Sequence, residues 1–278
     1  MDTVEARTTI ESLLRGSDLP RPEAELLLRN VLGCERIHLL AHGEEAVDSS
    51  RSRSARAAFS RRRSGEPVSY IIGRREFYGL TLHVTSDVLI PRTETERLVE
   101  LALERLPAGR SARVLELGTG SGAIALALAT YRPELKIVAT DVSEAALAIA
   151  CCNAHEHGVE IEVARSDWFE SIGPAPFDLI VSNPPYVAAA DAHLEQGDVR
   201  FEPRLALVGG VDGLDCIRVI AARARERLQV GGWLLLEHGY DQMERCIEIF
   251  RGHGYADVED FEDLARVPRV CAGRWRGT

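Results

Sequence analysis

Two short segments of this 278-residue chain bring together residue types that can do chemistry as a group. The first is Asn183-Pro184-Pro185-Tyr186, directly after the apolar run Phe177-Asp178-Leu179-Ile180-Val181-Ser182. Two consecutive prolines stop a strand and remove two backbone donors, so the neighbouring carbonyls cannot pair in a ladder and point outward. An Asn amide oxygen, a rigid proline carbonyl and an aromatic face suit a planar NH2 group: the oxygens accept its two hydrogens and the ring packs on its plane. Asn183, Pro184, Pro185 and Tyr186 are therefore the candidate substrate-binding residues, and Asn183, Pro184 and Tyr186 the candidate catalytic ones. The bland alternative is a loop with a proline turn. The second segment is Gly118-Thr119-Gly120-Ser121-Gly122, between a buried strand and a helix. Glycines permit a tight turn and close approach of a ligand to a helix N-terminus. The spacing is GxGxG, not the GxGxxG of dinucleotide binding, and such a turn also serves as a plain strand-to-helix corner. Asp141 favours a ligand: it ends the next strand, where a carboxylate can accept both ribose hydroxyls of a nucleoside. Its alternative role, capping the helix that follows, can be filled by Ser143.

The elements that must position these residues are legible as patterns. From Thr93 onward strands and helices alternate, which predicts a doubly wound α/β sheet. Strands are expected at Ala112–Leu117, Lys136–Asp141, Ile161–Ala164, Phe177–Ser182 and Gly232–Glu237. Helices are expected at Ala123–Thr130, Ser143–Glu156 and Leu214–Leu228, and the tail 240–278 supplies one more helix and two short strands. Both segments then fall at the carboxyl edge of a parallel sheet, where ligands bind in open α/β folds. The first seventy-odd residues read as helices alone: one around Ile10, Leu13 and Leu14, then Pro22 to about Leu32, Ile37–Leu40 and Ser50–Ser64. Between them, residues 66–91 alternate apolar residues with glycine breaks (Tyr70-Ile71-Ile72-Gly73, Glu76-Phe77-Tyr78-Gly79-Leu80, Leu82-His83-Val84), as in a β-hairpin.

Composition excludes several classes. At 278 residues and 45% hydrophobic content, the chain can bury a full core without disulfide staples. No apolar run of ~20 residues is present to cross a bilayer, and Met1–Glu5 lacks the basic start of a signal peptide. The six cysteines are scattered without metal-ligand spacing, so no metal is expected, and buried thiols in a reducing cytoplasm are the simplest reading. Residues 1–91 hold equal numbers of acidic and basic side chains, so the net charge of -10 belongs to the remainder. An acidic body repels phosphate backbones and argues against direct nucleic-acid binding. The one basic cluster, Arg51, Arg53, Arg56, Arg61, Arg62 and Arg63, reads either as a solvated helix face or as a docking surface.

Taken together, Gly118–Gly122, Asp141, Asp167-Trp168-Phe169 and Asn183–Tyr186 resemble a class I S-adenosylmethionine-dependent methyltransferase acting on amino or amide nitrogen. Further segments resemble the release factor glutamine methyltransferase family: Gly65–Gly73, Glu76–Gly79, Leu89-Ile90-Pro91-Arg92, Gln196–Pro203 and Leu234–Gly239. The likeness covers about 60 to 276. Thr93 stands where the family usually has proline, and Arg266 where it has glycine, both away from the proposed chemistry. The resemblance implies a seven-stranded, mostly parallel Rossmann-like sheet with a small N-terminal helical bundle and hairpin connector. It implies domains at 1–73 (substrate docking), 74–91 (connector) and 92–278 (catalysis). It implies S-adenosyl-L-methionine held by Gly118, Thr119, Gly120, Ser121, Gly122, Asp141 and Asn183, with Trp168 packing the adenine and Asp167 taking its amino group. The implied substrate is the glutamine of the GGQ motif in peptide chain release factors. No residue of these motifs is a strong base, so the proton is expected to leave to water after transfer. Two rivals stand beside this reading: an adenine N6-methyltransferase of DNA or RNA, disfavoured by the acidic body, and a non-catalytic cofactor-binding adaptor, disfavoured by intact Asn183 and Tyr186.

Overall fold

In the computed structural model, residues 8–277 are described, and the Met1–Glu5 start lies outside them. The chain divides into two compact units, Met1–Gly73 and Arg74–Thr278. The first is helical: α1 (Ile10–Arg15), α2 (Arg21–Leu32), α3 (Arg36–Ala41), α4 (Ser49–Arg63) and α5 (Val68–Ile72). Local chemistry sets the ends. A reciprocal Thr9/Ser12 capping box starts α1, Asp48 accepts from the Ser50 and Arg51 amides to start α4, and a left-handed Gly33 stops α2. Ile10, Leu13, Leu14, Leu27, Leu28, Leu39 and Phe59 form its core. Residues 70–72, expected to be extended, are helical: Pro67 opens the turn and Gly73, at φ +79°, closes it. The run is apolar whichever way it is folded, so composition could not separate the two. The arginine cluster on α4 also divides. Arg61 pairs with Glu66, Arg62 with Glu23, and Arg63 donates to the Ser17 carbonyl, whereas Arg53 and Arg56 are exposed. Half of it therefore ties the bundle together.

The second unit opens with a hairpin, β1 (Arg74–Phe77) and β2 (Leu80–His83), whose Phe77, Leu80 and Leu82 join the core of this unit. After α6 (Glu96–Arg105), strands and helices alternate. They are β3 (Arg113–Leu117), α7 (Ala123–Tyr131), β4 (Lys136–Asp141), α8 (Glu144–His157), β5 (Glu162–Arg165), β6 (Phe177–Ser182), α9 (Asp215–Ala224), β7 (Leu228–Glu237), α10 (Met243–Gly252), β8 (Ala256–Glu262) and β9 (Pro268–Arg274). The described residues make a seven-stranded sheet in the order β5-β4-β3-β6-β7-β9-β8. β5 through β7 run parallel, while β9 is antiparallel to both β7 and β8. Its strands are apolar on both faces: Val114, Leu179 and Val181 pack on one side, Leu115, Leu117 and Ile180 on the other.

The expected elements fall where the pattern put them, with one instructive shift. β7 begins at Leu228, four residues before the expected Gly232, and α9 ends at Ala224, before the expected Leu228. The pair Gly231-Gly232, at the expected start of the strand, lies inside β7; pairing with β6 shifts register there and Gly231 adopts φ +91°. All six cysteines are free. Cys246 and Cys271 are buried as expected, but Cys151 and Cys152 lie exposed on α8. Among the described residues no helix is long and apolar enough to cross a membrane, and no cluster of side chains could hold a metal.

Candidate active site

Strand register sets the level of the site. Leu117 at the end of β3 pairs with Thr140 of β4 and with Ser182 of β6, and Ser182 pairs in turn with Leu236 of β7. One step further along each strand stand Gly118, Asp141, Asn183 and Glu237, side by side at the carboxyl edge. The chain order reverses direction between β3 and β6, which opens a crevice there. A cavity of about 470 Å³ occupies it, lined by the Gly118–Ser121 turn, Asp141, Asp167, Trp168, Asn183 and Pro185 together with Val88, Arg92 and Thr95. This is the size and mixed character of a small-molecule site.

The turn is built for close approach. Gly118, Gly120 and Gly122 have φ of +68°, +56° and +84°, a region costly for residues with a Cβ. Open space lies where side chains at Gly118 and Gly120 would go, whereas one at Gly122 would press on Leu126 and Ala150. The first two glycines leave room for a ligand and the third seats α7. Asp141 braces the turn, accepting from the Gly120 amide (2.9 Å) through one oxygen and from the Ser143 amide (2.9 Å) through the other. Ser143 caps α8, so Asp141 is not its cap. Trp168 is held at φ +49°, its carbonyl taking a hydrogen bond from the Ser166 hydroxyl (2.9 Å). Asp167 beside it is exposed on the cavity wall.

Around Asn183 the structure assembles more than the sequence announced. The Asn183 Nδ2 donates to Thr95 Oγ1 (3.1 Å), which leaves Asn183 Oδ1 as the acceptor available at the cavity. Pro184 is buried and does not line the cavity. Tyr186 does not line it either. Its hydroxyl donates to Glu237 Oε1 (3.1 Å), its carbonyl accepts from Gln242 Nε2 (3.0 Å), and burial raises its pKa. The loop leading into α9 packs against this segment backbone to backbone: a Cβ at Gly209 would sit 2.4 Å from the Pro185 oxygen, and one at Gly213 2.3 Å from the Tyr186 oxygen. Side-chain-free positions there let the two loops touch.

Three buried carboxylates escaped the sequence reading as site residues. Glu116, beneath the glycine turn, accepts from the Thr119 hydroxyl (2.7 Å) and from the Ala125 amide (3.0 Å), serving the first turn of α7 where Gly122 has no side chain to do so. Burial pushes its pKa up to about 8, against the pull of those two donors and with a further push from Asp141. Glu202 is buried beneath Arg92, whose Nη2 donates to it at 2.6 Å; burial raises its pKa and the arginine partly offsets this. Glu237 is pushed up to about 7 by burial, opposed by the Thr95 and Tyr186 hydroxyls and Arg269. The signal for Glu116 and Glu237 was present: each is a lone carboxylate adjoining an otherwise apolar strand run.

Glu116 yields a stability prediction. Its folded pKa lies above the ordinary 4.5, so from about pH 5 to 8 the folded state holds a proton that the unfolded state has released. Its contribution to stability is therefore present at low pH and lost as pH rises through that window. Glu116→Gln is expected to flatten the decline in melting temperature between pH 5 and 8; an unchanged slope would show that Glu116 titrates normally.

Glycine cradle, acidic second strand and Asn-Pro-Pro-Tyr edge on this sheet order define a class I methyltransferase. Solved structures agree on the fold: a methyltransferase from Pyrococcus furiosus (TM-score 0.56, 19% identity, 78% of this chain and 98% of that one) and the T. thermophilus 16S rRNA N2 G1207 methyltransferase in complex with AdoMet and guanosine (TM-score 0.55, 22% identity, 73% and 50%). Residues 93–199 match the family model "Methyltransferase small domain", and residues 5–73 match "PrmC N-terminal domain". Release factor glutamine methyltransferases are similar along nearly the whole chain. The Xylella fastidiosa protein is 48% identical (93% of this chain, 94% of that one), the Neisseria gonorrhoeae protein 47% (96% and 98%) and the Escherichia coli protein 45% (95% and 95%). The chain belongs to the release factor glutamine methyltransferase family.

Proposed function

We propose that this chain transfers a methyl group from S-adenosyl-L-methionine to the side-chain amide nitrogen (N5) of the glutamine in the GGQ motif of peptide chain release factors. The products are N5-methylglutamine and S-adenosyl-L-homocysteine, and the modification modulates translation termination. One observation carries the reading. Asn183, its NH2 tied to Thr95, keeps its carbonyl oxygen for a ligand at the same sheet edge as the glycine cradle and Asp141. The site fits the donor: the open space at Gly118 and Gly120 admits a ligand against backbone, and Asp141 offers a carboxylate for ribose hydroxyls. Asp167 and Trp168 on the wall suit an adenine amino group and ring. When bound, the donor supplies an electrophilic methyl group on a sulfonium.

The rest is the work of this chain. An amide nitrogen is a poor nucleophile because its lone pair is delocalised into the carbonyl. The Asn183 oxygen accepts one of its hydrogens and draws electron density back to nitrogen, a bond that strengthens as resonance is lost, while the Pro184 oxygen, set back from the cavity, takes the second only if the amide reaches past the wall. Pro185 lines the cavity beside the amide, Tyr186 braces this segment from behind through Glu237, and the proton leaves to water after transfer. Six free thiols accord with a reducing cytoplasm, and the protein partner is a release factor, not nucleic acid.

Incubation with methyl-labelled donor and release factor, duplex DNA or RNA tests this directly. Label is expected on the release-factor glutamine alone. Label in nucleic acid would favour an adenine N6-methyltransferase, and donor binding without label anywhere an adaptor.

The helical unit 1–73 is proposed to dock the substrate. All residues proposed to hold the donor lie beyond 110, so a chain truncated to 74–278 is expected to bind donor normally. It should methylate release factor poorly at low substrate concentration. Full activity at every substrate level would remove docking from the helical unit.

A further inference from the structure

The carboxylate at the end of β7 is unexplained by the reaction as written. Glu237 is 1% exposed and does not line the cavity, yet it stands one strand from Asn183 at the same level, Ser182 pairing with Leu236. Its Oε1 takes the Tyr186 hydroxyl, while its Oε2 has no hydrogen-bond partner at ordinary distance. A carboxylate buried so deeply is costly unless it is needed.

Thr95, itself 3% exposed, supplies the connection. Its hydroxyl already accepts from Asn183 Nδ2 and has one hydrogen left to give. With the Tyr186 hydroxyl it favours the charged form of the Glu237 carboxyl, though only Tyr186 reaches that carboxyl at ordinary hydrogen-bond distance. An ionised carboxylate only accepts, so it orients the hydrogens around it toward itself: Tyr186 O–H donates to Glu237, the free Thr95 hydrogen is drawn toward the unpartnered Glu237 oxygen, and Asn183 N–H donates to Thr95. The end left over is Asn183 Oδ1, an acceptor.

We propose that Glu237, acting through Thr95, is the positioning residue that fixes the side-chain amide of Asn183 with its oxygen toward the reacting nitrogen, and holds the Tyr186 ring by the same carboxylate. This rests on the functional reading above and adds to it the group that sets the direction of its hydrogen bonds. With the direction lost, Asn183 can turn its NH2 to the cavity and present donors to a nitrogen that carries hydrogens of its own. The other charged groups acting on Glu237 are Arg269, which favours ionisation, and Glu94, which opposes it. Protonation gives Glu237 an O–H of its own, so the directed chain fails on the acid side, near pH 7.

The test is steady-state and single-turnover methylation of full-length release factor by the full chain. Glu237→Gln, which supplies donors where only acceptors stood, is expected to lower kcat at least tenfold with KM for release factor and donor affinity nearly unchanged. The acid limb of the pH–kcat profile should vanish with it. Thr95→Val should do the same and Thr95→Ser should recover most of the rate, which keeps the test decisive if Glu237→Gln fails to fold. Exchange of the Asn183 side-chain NH2 protons, followed by NMR, gives a readout independent of turnover: protection is expected in the wild type and its loss in Thr95→Val. Wild-type kcat and pH profile in Glu237→Gln, or in Thr95→Val, would overturn the positioning role alone. Absence of methylation by the wild type would instead overturn the functional reading, and unprotected Asn183 NH2 protons in the wild type would still refute the positioning role.

Discussion

Asn183→Ala is expected to slow methyl transfer to release factor about a hundredfold to a thousandfold while leaving the fold and most donor binding intact. The hydrogen bond from the reacting NH2 to Asn183 Oδ1 strengthens toward the transition state, so its loss belongs in turnover and not in KM. Removing one preorganised group of this kind costs roughly 3–4 kcal/mol. The fold should survive because Asn183 is only half-buried and its side-chain partner is a single hydroxyl, on Thr95. Asn183→Asp is the sharper control. It keeps the shape and an acceptor oxygen, but loses the N–H that Thr95 receives, so the Thr95 hydroxyl must turn its hydrogen toward residue 183 and away from Glu237. It also adds a charge beside a sulfonium. The expected result is a slow enzyme, between alanine and wild type in single-turnover rate. Asn183→Ala at most of the wild-type rate would move the catalytic site elsewhere.

Asp141→Ala is expected to weaken donor binding by about 1.5–3 kcal/mol, roughly 10- to 150-fold in Kd, measured by calorimetry with S-adenosylmethionine and S-adenosylhomocysteine. Two losses combine. The ribose hydroxyls lose a charged acceptor, and the glycine turn loses the brace that Asp141 Oδ2 provides at the Gly120 amide. Asp141→Asn separates them in part, since it keeps one oxygen but places an NH2 where a backbone donor or a hydroxyl expects an acceptor. Both products should remain folded, because Ser143 caps α8 without Asp141. Unchanged affinity in Asp141→Ala would take this carboxylate out of the site.

Much of the fold was legible because its information is local. Ala123, Lys136–Asp141 and Phe177–Ser182 begin or span elements as expected, since apolar runs of strand length broken by Gly, Pro and capping residues carry their own boundaries. Departures came where local signals conflict. The Val68–Ile72 helix is apolar and β-branched, so it looks extended until Pro67 and Gly73 are weighed as its two ends. Gly232 looks like a strand start but sits beyond a register shift inside β7, because pairing with β6 holds Leu228 and its successors in the sheet.

The candidate site divides in the same way. By itself the sequence determined which residues stand at the strand ends: the glycine turn, Asp141, and Asn183 with its prolines, each following an apolar run that must be a buried strand. Their chemistry was readable because Gly, Pro and Asn act through their own backbone and amide groups, whatever surrounds them. Only the tertiary structure decided what stands behind them. Thr95, Asn183 and Glu237 are separated by 88 residues from first to second and by more than fifty from second to third, and no local pattern links them. They meet because the strand order places β6 beside β7 in a register that aligns Asn183 with Glu237, while the segment before α6 brings in Thr95. Burial then gives Glu116 and Glu237 acidities no isolated carboxylate has, because a charge removed from water takes its energy from whichever groups the fold has put around it.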